Sequence, residues 1–382
     1  MSGAPAGAAA GPAASAPRSA VVIGTGLIGT SIALALRGRG AEVWLTDTDL
    51  AAARLAAELG AGQVLPAGGR PGGGSFPADV AVLAVPPGAV AGALAAAQRL
   101  RLAACYTDVA SVKELPLREA RAAGCDLTAF VPGHPMSGRE RSGAAAARAD
   151  LFAGQPWVIC PAGESSQACV AAVTALARAC GSQPVLMSPA EHDRWVALVS
   201  HAPHLVASAM AALCADAPPG ALALAGPGLR DVTRIAASDA GLWTEILAAN
   251  ATQAHQIIRA VIGQLSAAAE ALGALAAGDD DAAKRLTAVL EAGRDGVARV
   301  PGKRGGPAPD YAVVQVVIAD TPGELARLFA AAGAAGINIE DVRIEHSPGL
   351  PAGVAELSVR PEAAEALAAA LAAGGWPVAS PA

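Results

Sequence analysis

The chain has little charge. Charged side chains make up 16% of its 382 residues, well below the quarter or so usual in soluble proteins. Lysine is scarcer still: Lys113, Lys284 and Lys303 are the only ones, and arginine supplies the other cations. Beside so much alanine this is a compositional bias of the coding genome, so alanine runs say little about local function. A net charge of −6 and a pI near 5.6 argue against a nucleic-acid partner. They leave room for an anionic small molecule held by a few local arginines. No charge-free apolar stretch is long enough to span a bilayer, so no membrane partner is expected. The leading MSGAPAGAAAGPAASAP lacks the basic start and concentrated apolar core of a signal peptide; residues 1–18 read as a disordered Ala/Gly/Pro tail. The six cysteines (Cys105, Cys125, Cys160, Cys169, Cys180, Cys214) show no C-x-x-C and no zinc spacing. They are expected to be small, buried and reduced, in a cytoplasmic protein without a metal site.

What is present is organised in three blocks. Residues 19–188 alternate short apolar runs with helical patterns, as a parallel α/β sheet does. Strands are expected at AVVIG (20–24), EVWLTD (42–47), DVAVLAVPP (79–87), CYTDVASVK (105–113), PWVICP (156–161) and QPVLMSP (183–189), with a Pro/Gly-rich loop at 66–77. Residues 189–299 carry long helical patterns: one from about His192 to Asp216 kinked at Pro203, one from the cap-like Ser238–Asp239 past Gln264, and one starting at the acidic Asp279–Asp281. Helices this long and apolar need partners, so a homodimer is expected. A linker-like VPGKRGGPAP over 300–309 leads into a β-α-β-β-α-β pattern at 310–382, the ferredoxin-like order. The fold class is α/β: a Rossmann-type sheet, an all-α block, and a small α+β domain.

Gly24-Thr25-Gly26-Leu27-Ile28-Gly29 is G-x-G-x-x-G, following a predicted strand and opening a predicted helix. The glycines permit the turn, the approach of backbone to a pyrophosphate and close helix–strand packing; the helix N-terminus offers N–H groups to phosphate. Asp47, ending the second strand, can accept ribose hydroxyls and would repel a 2′-phosphate, which favours NAD over NADP. Its other role is a helix cap before Leu50, and Thr46 and Thr48 leave tolerance of NADP open. Val85 and Pro86 lie at the carboxyl end of a later strand, where open sheets bind ligands or simply stop.

An alcohol-oxidising nicotinamide enzyme needs a base for the hydroxyl proton. His134, in the Gly/Pro-bracketed VPGHPMSGRERSG, is the candidate. Ser111 in Asp108-Val109-Ala110-Ser111-Val112-Lys113 places a hydroxyl where cofactor and substrate would meet. Farther on come Glu191-His192-Asp193, Ser200-His201-Ala202-Pro203-His204, and Gly228 to Ala236 with Arg230 and Arg234; Ser238-Asp239 and Trp243 follow. Over roughly residues 20–260, in this order, these motifs resemble the prephenate/arogenate dehydrogenase family of tyrosine biosynthesis. The resemblance implies that His134 accepts the ring C4 hydroxyl proton as hydride passes to NAD, with Ser111 beside it. It also implies that Arg234 binds a substrate carboxylate, that His204 helps place the side chain, and that Arg230 and Trp243 line the pocket. Residue by residue, bland roles stand beside these: His201 and His204 as core or interface groups, His192 as a structural link between domains, Trp243 as core. Arg139 is a further candidate contact in the His134 loop.

Asp320-Thr321-Pro322-Gly323 followed by Gly336-Ile337-Asn338 resembles an ACT domain. That implies side-by-side pairing and an amino-acid effector, tyrosine or phenylalanine, near Asp320, Pro322, Gly323 and Asn338; a plain turn and helix cap is the other reading. Two rivals share part of the pattern. A β-hydroxyacid dehydrogenase relies on a catalytic lysine on a helix, whereas here Lys113 follows a strand and Lys284 and Lys303 lie in the late helix and the linker. A non-catalytic NAD and amino-acid sensor would have no use for His134 and Arg234 together. The expected activity is NAD-dependent oxidative decarboxylation of prephenate to 4-hydroxyphenylpyruvate, with arogenate, giving tyrosine directly, as the alternative substrate.

Overall fold

The computed structural model describes residues 15–66, 76–137, 143–300, 311–346 and 351–379. Most of the leading tail, most of the loop at 66–77, Arg139 and all of the linker but Val300 lie outside these. The chain forms two compact units, Met1–Val261 and Ile262–Ala382.

In the first unit the order is β1 (Ser19–Ile23), α1 (Leu27–Arg37), β2 (Glu42–Thr46), α2 (Leu50–Glu58), β3 (Gln63–Val64), β4 (Ala78–Leu83), α3 (Val90–Arg99), β5 (Ala103–Asp108) and α4 (Glu114–Ala122). The parallel sheet runs β3-β2-β1-β4-β5. Strand alternation sorts its side chains to two faces. Val22, Leu45 and Val82 pack toward Ile32 and Leu36 of α1; Val21, Trp44 and Leu83 pack toward Leu94 of α3 and Leu117 of α4. The strand order reverses beside β1, so the carboxyl ends of β1 and β4 open a crevice where a ligand of such a sheet binds.

The next strands depart from expectation. β6 (Gly133–Pro135), β7 (Pro156–Ile159) and β8 (Gln183–Leu186) form a sheet of their own, with α5 (Gln167–Ala179) between the last two. β6 and β7 are antiparallel, with His134 opposite Val158. The runs at 156–161 and 183–189 are therefore strands, but not of the parallel sheet. Beside β5 the chain pairs only through the Tyr106–Phe130 bridge, and the Pro132 carbonyl then accepts from the Cys160 N–H just after β7.

A second departure concerns cysteine. Cys105 on β5 and Cys169 on α5 are joined by a disulfide, closing a separation of 64 residues, whereas all six thiols were expected to be reduced. Strand and helix bring the two together in space, and nothing in their sequence spacing shows it. Cys125, Cys160, Cys180 and Cys214 are free.

α6 (Pro189–Val196) starts on a capping box in which Ser188 and Glu191 satisfy each other's backbone N–H. A π turn, Ala197–His201, separates it from α7 (Ala202–Ala212). The expected kink at Pro203 is thus a widened turn just before it: Pro203 cannot donate to the carbonyl four residues back, and the wider turn absorbs the gap. α8 (Pro219–Leu222), α9 (Pro227–Thr233) and a 3-10 turn, Arg234–Ala237, lead to α10 (Ala240–Ala249), capped by Asp239 through the Leu242 N–H. The helix expected from Ser238 past Gln264 breaks at Asn250 and resumes as α11 (Ala251–Ala276). The buried Asn250 amide donates to the Asp193 carbonyl at 2.7 Å, a contact that a continuous helix gives no reason to expect.

In the second unit, α12 (Ala282–Ala298) begins after the acidic run 279–281, as expected. β9 (Ala312–Ala319), α13 (Glu324–Ala334), β10 (Asp341–His346), β11 (Ala352–Val359) and α14 (Pro361–Ala373) follow. The antiparallel sheet runs β10-β11-β9, and the expected fourth strand is reduced to one bridge, Val378 with Val316. Val316, Leu357, Leu328 and Leu367 fill its core.

By length and composition alone, Pro189–Ala212 and Ala251–Ala276 are apolar enough to cross a membrane. The first of these stretches also supplies buried polar side chains to the site described next.

Candidate active site

Each glycine of the fingerprint has a separate reason to be there. Gly24 has φ +97, and a Cβ on it would lie 2.2 Å from the Ala84 carbonyl oxygen. A Cβ on Gly29 would lie 2.0 Å from the Gly24 oxygen, so the first turn of α1 sits directly on the loop. Gly26 faces open space, with nothing within 4 Å of its missing Cβ, and no side chain caps α1 there. Leu27 and Ile28 open the helix behind it. The result is a cradle with unpaired N–H groups that fits a dinucleotide pyrophosphate. Val85 lines the same crevice, its Cγ1 next to Gly24, and the exposed Pro86 follows.

Asp47 is not the cap of α2. That role belongs to Asp49, which accepts from the Ala51 N–H. Asp47 instead binds the glycine loop, accepting from the Thr25 N–H at 2.6 Å and the Thr25 hydroxyl at 2.9 Å, while its other oxygen accepts from the Asp49 N–H. Burial opposes ionisation, but these hydrogen bonds prevail and hold its carboxyl below the usual range. A fixed carboxylate therefore stands at the end of β2.

The reacting end is built around the loop that follows β5. Lys113, fully buried, pairs with the fully buried Asp108 and donates to the Gly133 carbonyl at 2.5 Å. One ammonium thus ties the loop to the residue before His134. The backbone N–H groups of Lys113 and Glu114, at the N-terminus of α4, grip the Asp193 carboxylate at 2.8 and 2.9 Å. Asp193 Oδ1 lies 2.7 Å from His192 Nδ1, and His192 Nε2 lies 2.8 Å from His134 Nδ1. Burial, the neighbouring His192 and the Lys113 ammonium hold His134 well below the usual imidazole value. His134 is consequently neutral at pH 7, the state a base requires.

His201 extends the chain: its Nδ1 lies 3.2 Å from the Asn250 amide nitrogen, and burial pushes it down to about 4. The Trp243 ring stacks on His204 at 3.6 Å between centroids and 8° between planes, and meets His201 edge-on. α10, which carries Trp243, packs on the 3-10 turn Pro87–Ala89 just beyond Pro86.

The structure therefore links His134, His192, Asp193, Asn250, His201, Trp243 and His204 through direct contacts. Ser111 is half-buried on the same loop, but among the described residues it makes no hydrogen bond to His134; His192 holds that ring. Arg230 and Arg234 are exposed on α9 and the turn after it, Arg230 donating to the Ala225 carbonyl at 3.4 Å. Sequence reading missed the parts played by Lys113, Asp193 and Asn250, and treated His192 as a domain link. The available signal was rarity: in a chain so poor in charge, E-H-D on an apolar helix and a lone lysine after a strand are conspicuous.

A dinucleotide cradle beside a half-buried imidazole, followed by a helical block, defines a dehydrogenase-type protein. The comparisons specify which. The model of the prephenate dehydrogenase nucleotide-binding domain matches residues 32–186, and that of the prephenate dehydrogenase dimerisation domain matches residues 188–291. The probable prephenate dehydrogenase NovF of Streptomyces niveus is 39% identical over 365 residues, 94% of this chain and 99% of that protein. The chain belongs to the prephenate dehydrogenase family. Among solved structures, Synechocystis arogenate dehydrogenase is 25% identical with a TM-score of 0.58, covering 73% of this chain and 99% of that one. Prephenate dehydrogenase from A. aeolicus, in complex with hydroxyphenyl propionate and NAD+, has a TM-score of 0.61 at 24% identity over 73% and 98% of the two chains, and supports the fold alone.

Proposed function

We propose that the chain is an NAD-dependent prephenate dehydrogenase acting as a homodimer. The carrying observation is His134: neutral, anchored at Nδ1, and lying within the stretch that the nucleotide-binding domain model matches. Bound NAD supplies the hydride acceptor; Gly24, Gly26 and Gly29 hold its pyrophosphate, with Asp47 near the ribose. His134 takes the C4 hydroxyl proton as the hydride leaves that carbon. Loss of the ring carboxylate as CO₂ then restores aromaticity, and the proton returns to the phenolic oxygen. Arg234, with Arg230, binds substrate carboxylate, for which planar guanidinium groups are well shaped. His204 and Trp243 act as one stacked wall at the side chain, and Ser111 hydrogen-bonds the substrate hydroxyl. Large apolar residues left exposed in the first unit within the region of the dimerisation model, among them Leu198, Leu213 and Leu224, are the surface a second copy covers. NADH formation measured with prephenate and arogenate in parallel, each with NAD and NADP, tests this; no turnover of prephenate with NAD would reject it.

The second unit is read as an ACT-type effector module. Gly323, at φ +88, heads α13 as the loop after β9 requires. Asn338 lines a pocket of about 360 Å³ with Glu340 and Arg360. By strand register, however, the start of β10 is level with Val313, so Asn338 and the Asp320–Gly323 loop sit at opposite ends of β9, roughly 20 Å apart. A site using both takes Asp320, Pro322 and Gly323 from one copy and Asn338 from another. If millimolar tyrosine and phenylalanine leave activity, thermal stability and assembly state unchanged, this reading fails.

A further inference from the structure

The direction of the hydrogen bonds around His134 follows from their acid end. Asp193 is buried, and its carboxylate already accepts two backbone N–H groups. An ionised carboxylate has no proton to give, so His192 donates from Nδ1. Burial keeps His192 neutral, which leaves a lone pair on its Nε2. The bond between the imidazoles is therefore donated by His134 Nδ1, and His134 keeps a lone pair on Nε2.

We infer that His192 and Asp193 are positioning residues acting through His134: they set its tautomer and take over its Nδ1 proton while its Nε2 holds the proton of the substrate. The inference rests on His134 being the base. The balance is simple. One proton leaves the substrate oxygen for His134 Nε2, and one leaves His134 Nδ1 for His192 Nε2. The positive charge then resides on His192 against the Asp193 carboxylate, and both protons return when the phenol forms.

Electrostatics favours the transfer. The groups facing His134 are His192 from α6, Lys113 from the loop after β5 and His201 from the π turn, and each disfavours a positive charge there. At His192 burial and Lys113 also disfavour one, but Asp193 in contact and Asp108 nearby favour it, so its value falls less far than that of His134. A charge that is costly on His134 is thus lodged one ring away. This assigns chemistry to Glu191-His192-Asp193, which a domain link would leave without a reason for two adjacent buried polar side chains.

The test uses the full chain. With histidine labelled by ¹⁵N and no ligand added, His134 is expected as the Nδ1–H tautomer; an Nε2–H tautomer overturns the proposal. His192→Gln keeps an acceptor for His134 and a donor for Asp193 but cannot take a proton. Its kcat should fall about 10–100-fold with KM unchanged. His192→Leu removes the acceptor, frees the tautomer, and should cost on the order of 10⁴ in kcat. Asp193→Asn removes the counter-charge and should move the acid limb of kcat/KM to lower pH. Equal kcat in wild type, Gln and Leu variants overturns the proposal, as does a loss that follows melting temperature with the acid limb unmoved. If the wild type turns over neither prephenate nor arogenate, the functional reading has failed, and the ligand-free spectrum still decides the tautomer.

Discussion

Replacing Lys113 by methionine removes the charge that neutralises Asp108 while keeping most of the volume. Both partners are completely buried, so water cannot take over. Asp108 Oδ1 would retain the Ala110 N–H, and Oδ2 has no hydrogen-bond partner even in the wild type. Breaking a buried pair by deleting one member costs about 3–5 kcal/mol. At roughly 2–4 °C per kcal/mol for a domain of this size, the first unit should melt roughly 6–20 °C lower. The loss has a pH signature. Burial outweighs Lys113 and raises the Asp108 carboxyl above its ordinary value, and removing the ammonium raises it further. A carboxyl whose folded value lies above its unfolded one of about 3.9 loses stability as pH rises between the two. The variant's deficit should therefore be smaller at pH 5 than at pH 8. Adding Asp108→Leu removes the orphaned charge and should recover part of the loss. Calorimetry of wild type, single and double variants at both pH values gives the comparison. A single variant within 1 kcal/mol of wild type, or a double no better than the single, would refute the account.

Other outcomes can be checked directly. His134→Asn should lower kcat by on the order of 10²–10⁴ with NAD binding preserved, measured by steady-state kinetics and titration calorimetry. Because His134 is held well below 6.5, the acid limb of kcat/KM should lie below that value; the same depressed group also costs stability as pH falls through its unfolded value. Gly26→Ala, with room for its Cβ, should leave the melting temperature unchanged and raise KM for NAD, whereas Gly29→Ala should lower both stability and binding. Arg234→Ala should mainly raise KM for prephenate; an unchanged KM removes it from carboxylate binding. Thiol titration of denatured, unreduced protein should count four free cysteines, and reduction should destabilise the first unit by up to about 4 kcal/mol for a loop of this length.

Much of this was legible before any coordinates because it depends on local pattern. The glycine spacing at Gly24, Gly26 and Gly29, the alternation of strands and helices, and the β-α-β-β-α-β order need only neighbours in sequence. His134, Arg234 and His204 stand out in the sequence only through motif order, and their roles are proposals. The strands at 156–161 and 183–189 show why the rest was not: period-2 patterns report that a run is a strand but not which sheet it joins, and the π turn and the break at Asn250 are invisible to helical periodicity for the same reason.

The sequence by itself determined a dinucleotide cradle, a candidate base and a helical block of the prephenate dehydrogenase type, since each is encoded within a few turns of chain. Only the tertiary structure decided what surrounds that base. Lys113 lies 80 residues from Asp193 and His134 lies 58 from His192, and at such separations contact is set by packing. Packing placed a buried ammonium behind His134, a carboxylate at the far end of His192, and a disulfide between cysteines that spacing left unpaired. In a chain with so few charges, where each one is buried matters more than how many there are.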